Sequence, residues 1–169
     1  MKRTKDDFIE VLEQVRGIVF KVARSYFSDS DDQKDLAQDI IIHLWQSFHK
    51  YDAKYAISTW AYRISLNVAI SAKRKSSTKA KHLVNSDTSM IDIVEDLEND
   101  EEKQSMILHQ FIDELDDLNK ALMILYLDGN SHEKIAEILE ITKSNVGTKI
   151  GRIKTRLKEH FKNLEIWLK

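Results

Sequence analysis

The chain has 169 residues, 32% charged and 42% apolar, with net charge −2 and a sequence pI of about 6.3; these proportions suit one or two small soluble helical domains and exclude a wholly disordered chain. It holds no cysteine, no proline and four glycines. That removes disulfides, zinc fingers and thiol nucleophiles, and leaves all-β sandwiches and glycine-rich phosphate loops poorly supported. No apolar run approaches the roughly 18 residues of a membrane span, and Met1–Asp7 has no signal-peptide core behind it, so a cytoplasmic protein without membrane insertion is expected.

The first helical block is expected over residues 1–75. Phe8, Val11, Leu12, Val15, Ile18, Val19, Val22 and Tyr26 recur at three- and four-residue steps, one face of a helix. The acidic run Ser28–Asp32 breaks the pattern and offers caps for a second helix. That helix, expected over Asp32–Phe48, carries Ala37, Ile40, Ile41 and Leu44 inward. Lys50 to Ile57 reads as a polar loop with aromatics. Ser58 or Thr59 is a candidate cap for a third helix bearing Trp60, Ile64, Val68 and Ala72 and ending in Lys73-Arg74-Lys75.

Residues 76–102 change character. They are small and polar, then acidic, with too few apolar residues for a core, and are expected to be a flexible acidic linker. The second block, 103–169, opens with Met106, Leu108, Phe111, Ile112 and Leu115. Asp128-Gly129-Asn130 is a turn signal, and Ser131 a cap for a short helix carrying Ile135, Ala136 and Leu139. A longer helix with Val146, Ile150, Ile153, Leu157 and Phe161 follows. Two helices joined by a tight turn, the second one basic, predict a helix-turn-helix. The expected fold is therefore all-α: two small helical domains joined by a linker. Charge follows the same division: Asp113–Thr142 carries net −6 and Lys143–Lys169 net +6, which suggests an anionic partner for the C-terminal helix or simply a solvated charged face.

The chemical inventory offers no foothold for catalysis. No two of the six histidines stand four residues apart, and the aspartates from Asp29 to Asp39 lack the spacing of a calcium loop. No catalytic residue, metal site or cofactor is expected, and the candidate functions are binding functions. Asp35, Gln38, Asp39 and Ile42 share a helix face mixing acid, amide and an exposed isoleucine; it fits a protein-docking surface, or a solvated face with one stray apolar residue. Tyr51, Tyr55, Arg63, Asn67, Lys73 and Arg74 interleave aromatic, basic and amide groups, a composition suited to single-stranded nucleic acid, whereas Trp60 is expected in the core. Lys143, Ser144, Asn145, Thr148, Lys149 and Arg152 project from the first turns of the last helix, where a recognition helix meets base edges.

In order and spacing these segments resemble an extracytoplasmic-function sigma factor of the sigma-70 family, the kind that holds only regions 2 and 4. The matching segments are Asp35-Leu36-Ala37-Gln38-Asp39 with Leu44-Trp45, Trp60-Ala61-Tyr62-Arg63-Ile64 with Asn67, and Ile135-Ala136 with Asn145-Val146 and Arg152-Ile153-Lys154. The resemblance implies that Asp35, Gln38, Asp39 and Ile42 dock core RNA polymerase. It implies that Tyr51, Tyr55, Arg63, Asn67, Lys73 and Arg74 meet the melted −10 element, with a base flipped into the Lys50–Thr59 loop. It further implies that residues from Lys143 to Arg156 read the −35 element, with Arg152, Lys154 and Arg156 partly on phosphates. An anti-sigma factor is an implied partner. The sequence departs from the family pattern at Ser71, at Lys120, at Leu127-Asp128 and at Glu140, where the turn usually has glycine. A helix-turn-helix regulator acting on duplex DNA without polymerase, and an adaptor with an incidental basic C-terminus, are the competing readings.

Overall fold

The structure, a computed structural model, describes residues 4–80 and 100–167. Among these, seven α-helices and one short 3-10 turn account for the regular structure. Helix α1 (Lys5–Tyr26) begins in a reciprocal cap: the Asp7 N–H donates to Thr4 Oγ1 (3.2 Å) and the Thr4 N–H to Asp7 Oδ2 (2.7 Å). Its inward stripe, Phe8, Val15, Val19, Val22, Ala23 and Tyr26, is buried. Helix α2 (Ser30–Ser47) starts two residues earlier than its apolar pattern suggests. Asp29 is the cap, its carboxylate accepting from the N–H groups of Asp31 (2.9 Å) and Asp32 (3.1 Å). Those two hydrogen bonds, that of Asp32 foremost, hold the Asp29 carboxyl below its ordinary pKa.

A 3-10 turn (Phe48–Lys50) leads to a loop and then to α3 (Ile57–Ala80). Neither candidate cap holds as such at its start: Thr59 lies inside the helix and its buried hydroxyl donates to Glu137 Oε2 (3.2 Å). Nor does α3 stop at Lys75. A cluster of lysine and arginine at a helix end is compatible with continuation, and no glycine or proline follows to break it. Residues 76–80 of the expected linker therefore continue α3, and 100–102 begin α4 (Asp100–Asp113); its remaining residues, 81–99, lie outside the described residues. Helices α1, α2 and α3 pack on one another around Leu36, Ile40, Leu44, Ala61, Leu66 and Ala69. An aromatic cluster, Phe8 on Trp45 and Phe48, with Trp60 on Phe48 and Tyr51, closes one end. Trp60, expected in the core, is half-buried and packs against its edge.

The second block comprises α4, α5 (Asp117–Leu127), α6 (His132–Leu139) and α7 (Lys143–Trp167). Asp116 caps α5 by accepting from the Asn119 N–H (3.0 Å), which draws the Asp116 carboxyl below its ordinary pKa. Ser131 caps α6 by accepting from the Lys134 N–H (3.2 Å). Ile135, Ile138, Val146, Ile150 and Ile153 fill the angle between α6 and α7, and Leu122 and Leu125 of α5 complete that core. The turn between α6 and α7 passes through Glu140 at φ 55°, ψ 42°, the left-handed conformation that glycine takes without strain. For glutamate it costs about 1 kcal/mol.

Candidate functional site

Three surfaces collect the residues singled out from the sequence. On α2, Asp35, Gln38, Asp39 and Ile42 fall on one face at three- and four-residue steps, and all are exposed, Ile42 to 49%. The sequence reading missed a neighbour: Trp45, three residues on, leaves 46% of its surface in solvent while its edge meets Phe8. A tryptophan three residues after Ile42, at the spacing of the same helix face, was the available signal, hidden because tryptophan is usually read as core.

The second surface runs from the loop before α3 along that helix. Tyr51 donates its hydroxyl to the Tyr55 carbonyl (2.7 Å), and the Arg63 guanidinium lies 4.6 Å from the centre of the Tyr55 ring. The two tyrosines and Arg63 thus form one corner. Asn67 and Arg74 lie further along the same side of α3, lining a cleft of about 330 Å³ with Arg63, Leu66 and Ile70. Lys73 points elsewhere: its ammonium donates to the Tyr26 carbonyl (3.3 Å) and sits near the Phe27 ring. Lys73 is thereby separated from the residues it was grouped with, because it stands one residue off the Arg63–Asn67–Arg74 stripe.

The third surface is α7. At about 100° per residue, Ser144, Asn145, Thr148 and Arg152 fall opposite the buried Val146, Ile150 and Ile153, and all four are exposed. Arg156 and the half-buried Lys149 flank them on one side, with the Arg156 guanidinium 5.8 Å from the centre of the Phe111 ring. Lys143 and Lys154 depart from this face. Lys143 forms an ion pair with Glu133, and the Lys154 ammonium lies over the Tyr126 ring, 4.5 Å from its centre. The helical phase is the reason: Lys154 is four residues from buried Ile150 and half a turn from Asn145. The helix is capped by Thr142, whose hydroxyl accepts from the Asn145 N–H (3.1 Å), so Asn145 is not needed as the cap.

Sigma-70 region 2 matches residues 11–79, and Sigma-70, region 4 matches residues 105–157. RNA polymerase sigma factor SigV of Bacillus subtilis is 30% identical over 149 residues, which cover 88% of this chain and 83% of SigV. ECF RNA polymerase sigma factor SigW of the same organism is 25% identical over 179 residues, 96% of this chain and 93% of SigW. The chain belongs to the extracytoplasmic-function group of the sigma-70 family. Two solved structures share its fold. CnrH, in complex with the cytosolic domain of CnrY, has a TM-score of 0.67 at 17% identity, covering 95% of this chain and 90% of CnrH. The sigma factor RpoE of Bartonella quintana, in complex with the anti-sigma factor NepR, has a TM-score of 0.67 at 20% identity, covering 92% and 97%. The region 2 match falls on α1–α3 and the region 4 match on α4–α7, and the two blocks are called by those names below.

Region 2 and region 4 of this sigma factor touch, and the pairs that join them were invisible to local sequence reasoning. Arg63 donates to the Glu137 carbonyl (2.6 Å) and pairs with the Glu140 carboxylate (3.5 Å). Arg74 pairs with Asp117 (2.6 Å). Lys21 and the Tyr62 hydroxyl both donate to the Asp128 carboxylate. Burial pushes the Asp128 carboxyl above its ordinary pKa. Three departures from the family pattern are thus contact residues: Glu140 and Asp128 meet region 2, and Lys120 lies over Tyr26.

Proposed function

We propose that the three surfaces divide the work of a sigma factor. The chain binds core RNA polymerase and directs promoter-specific initiation. It recognises the −35 and −10 elements and assists melting. The face Asp35–Gln38–Asp39–Ile42, extended by Trp45, docks the polymerase: acids give orientation and the two apolar side chains give contact area. Tyr51, Tyr55, Arg63, Asn67 and Arg74 take the −10 strand, the rings stacking on bases and the cations meeting phosphates. Lys73 contributes charge at the margin. Ser144, Asn145, Thr148 and Arg152 enter the major groove at −35, with Lys149 and Arg156 beside them; Lys143 and Lys154 lie nearer the phosphates.

The observation that carries this reading is the exposed, uncharged-to-basic face of α7 opposite its buried stripe, in a chain whose other block matches region 2. The chain supplies no catalytic group to the reaction and works in the cytoplasm, where polymerase is. An anti-sigma factor is its expected regulator, as NepR is bound to RpoE. Reconstituted transcription tests the whole: promoter-specific transcripts require both this chain and core enzyme. Specific duplex binding and regulation that persist without any effect of the chain on core enzyme would establish a polymerase-independent regulator instead.

A further inference from the structure

The centre line of the exposed face of α7 carries no charge. Opposite the buried Val146, Ile150 and Ile153 stand Ser144, Thr148, Gly151 and Thr155, all exposed. The groups that can take a base edge with two hydrogen bonds, Asn145, Arg152 and Arg156, lie to one side of that line. The middle of the face thus offers a base edge small groups and little capacity for paired hydrogen bonds.

Both threonines turn their hydroxyls back on the helix. Thr148 Oγ1 donates to the Ser144 carbonyl (3.0 Å) and Thr155 Oγ1 to the Gly151 carbonyl (3.1 Å). With the hydroxyls engaged there, the methyl groups are the ends left to meet a partner. Between them Gly151 has no side chain, and these three residues with Gly147, Arg152 and Arg156 line an open hollow of about 580 Å³. Nothing inside the chain requires the hollow. A Cβ at Gly151 would meet no atom within 4 Å, and Gly151 has no positive φ that would demand glycine. Alanine would favour the helix there.

Of the four bases, only thymine shows a methyl group in the major groove. Thr148, Gly151 and Thr155 follow one another at three- and four-residue steps, so they share one line on the helix surface. Asn145 stands three residues before Thr148, a spacing that makes the two side chains neighbours. An adenine held by Asn145 and a methyl resting on Thr148 therefore belong to the same base pair or to adjoining ones.

We infer that Thr148, Gly151 and Thr155 form a seat for the C5 methyl of a thymine in the −35 element, so that an A·T pair is read there by apolar contact beside the adenine taken by Asn145. This rests on the reading of α7 as the −35 helix. Cytosine brings no methyl to the seat and leaves it unfilled.

Reconstituted holoenzyme, the full chain with core polymerase, supplies the test. It selects sequences from a library of random duplexes, and the enriched upstream element is expected to hold A·T pairs side by side. Each thymine of that element is then replaced in turn by deoxyuridine, which removes the C5 methyl and leaves every hydrogen-bonding group in place. At one position binding should fall about fourfold, the contribution of one buried methyl group. Thr148→Ser keeps the hydroxyl but loses the methyl, and should lose most of that discrimination. Thr148→Val keeps the methyl and should still tell the two duplexes apart. Gly151→Ala puts a methyl on the protein where the base would place its own, and should favour the uracil duplex. A selected element without thymine overturns the inference, as does a wild-type holoenzyme indifferent to deoxyuridine at every thymine, or Thr148→Ser with its discrimination intact. Those results leave α7 as the −35 helix so long as a scrambled upstream element binds more weakly than the selected one. If the scrambled element binds equally well, the reading of α7 fails and the inference falls with it.

Discussion

The ammonium of Lys120 lies 4.9 Å from the centre of the Tyr26 ring and forms an ion pair with Asp113. Lys120 is 4% exposed, so a region 4 cation is buried against the last turn of α1 in region 2. A buried cation needs such partners, and here they come from both regions. Lys120→Ala is expected to cost about 1–3 kcal/mol. It should also lower the cooperativity of unfolding, because it uncouples the regions. Urea titrations followed separately by Trp60-region fluorescence and by helix circular dichroism check this: coincident transitions in the variant would refute the coupling.

Leu44 has no exposed surface and sits where α1, α2 and α3 meet. Leu44→Ala should lose about 2–5 kcal/mol, the removed burial plus the cavity left behind. Chemical denaturation gives the number directly, and a loss below 1 kcal/mol would mean that the bundle collapses into the gap.

Asp39 is exposed on α2, beside Gln38 and Ile42. Asp39→Lys is expected to weaken binding to core polymerase at least tenfold while leaving the circular dichroism spectrum and melting temperature unchanged. Unaltered affinity in a folded variant would remove this face from the docking surface.

On α7 two substitutions should separate base reading from phosphate contact. Asn145→Ala is expected to cost about 1–3 kcal/mol on the cognate −35 duplex and little on a scrambled one, since an amide pairs bidentately with adenine. Arg156→Ala should weaken both duplexes alike and flatten the salt dependence. Because Thr142 makes the helix cap, equal losses on the two duplexes for Asn145→Ala would show that the amide acts in some general way rather than on a base.

The helix caps predict an acid response. The Asp29 and Asp116 carboxyls have lowered pKa values because each accepts backbone N–H bonds at a helix start. A group with a lowered native pKa stabilises the fold above its unfolded value, near 4, and loses that contribution as pH falls through the native value. Asp116→Asn keeps the cap at neutral pH and cannot titrate. Its stability should match wild type within about 0.5 kcal/mol at pH 7 and fall less steeply between pH 5 and 2. Urea midpoints across that range decide it.

Much of this architecture is written locally. The Phe8–Tyr26 stripe, the cap at Ser131 and the turn at Asp128-Gly129-Asn130 all follow from side-chain period and turn chemistry, and α1, α6 and the helix-turn-helix form there. The shared, exposed face of Asp35, Gln38, Asp39 and Ile42 on α2 followed from the same period. What local pattern could not supply was long-range. Thr59 looks like a cap and is instead buried against Glu137, 78 residues away. The length of α3 past Lys75 depended on the absence of a breaker rather than the presence of a signal. Lys154 was grouped by charge with the face of Asn145 and Arg152, yet its phase on α7 sets it apart from them, over the Tyr126 ring. Charge says that a side chain seeks an anion or a ring; only the geometry of the fold says which one it finds.

The left-handed backbone at Glu140 has a consequence for anyone redesigning this molecule. A sequence optimised for thermal tolerance would place glycine there, since that choice relieves about 1 kcal/mol of strain. The same choice deletes the carboxylate that reaches Arg63. Heat resistance and cohesion between the two regions therefore rank the two residues at position 140 in opposite order, and a hardened variant is expected to hold region 4 on region 2 less tightly.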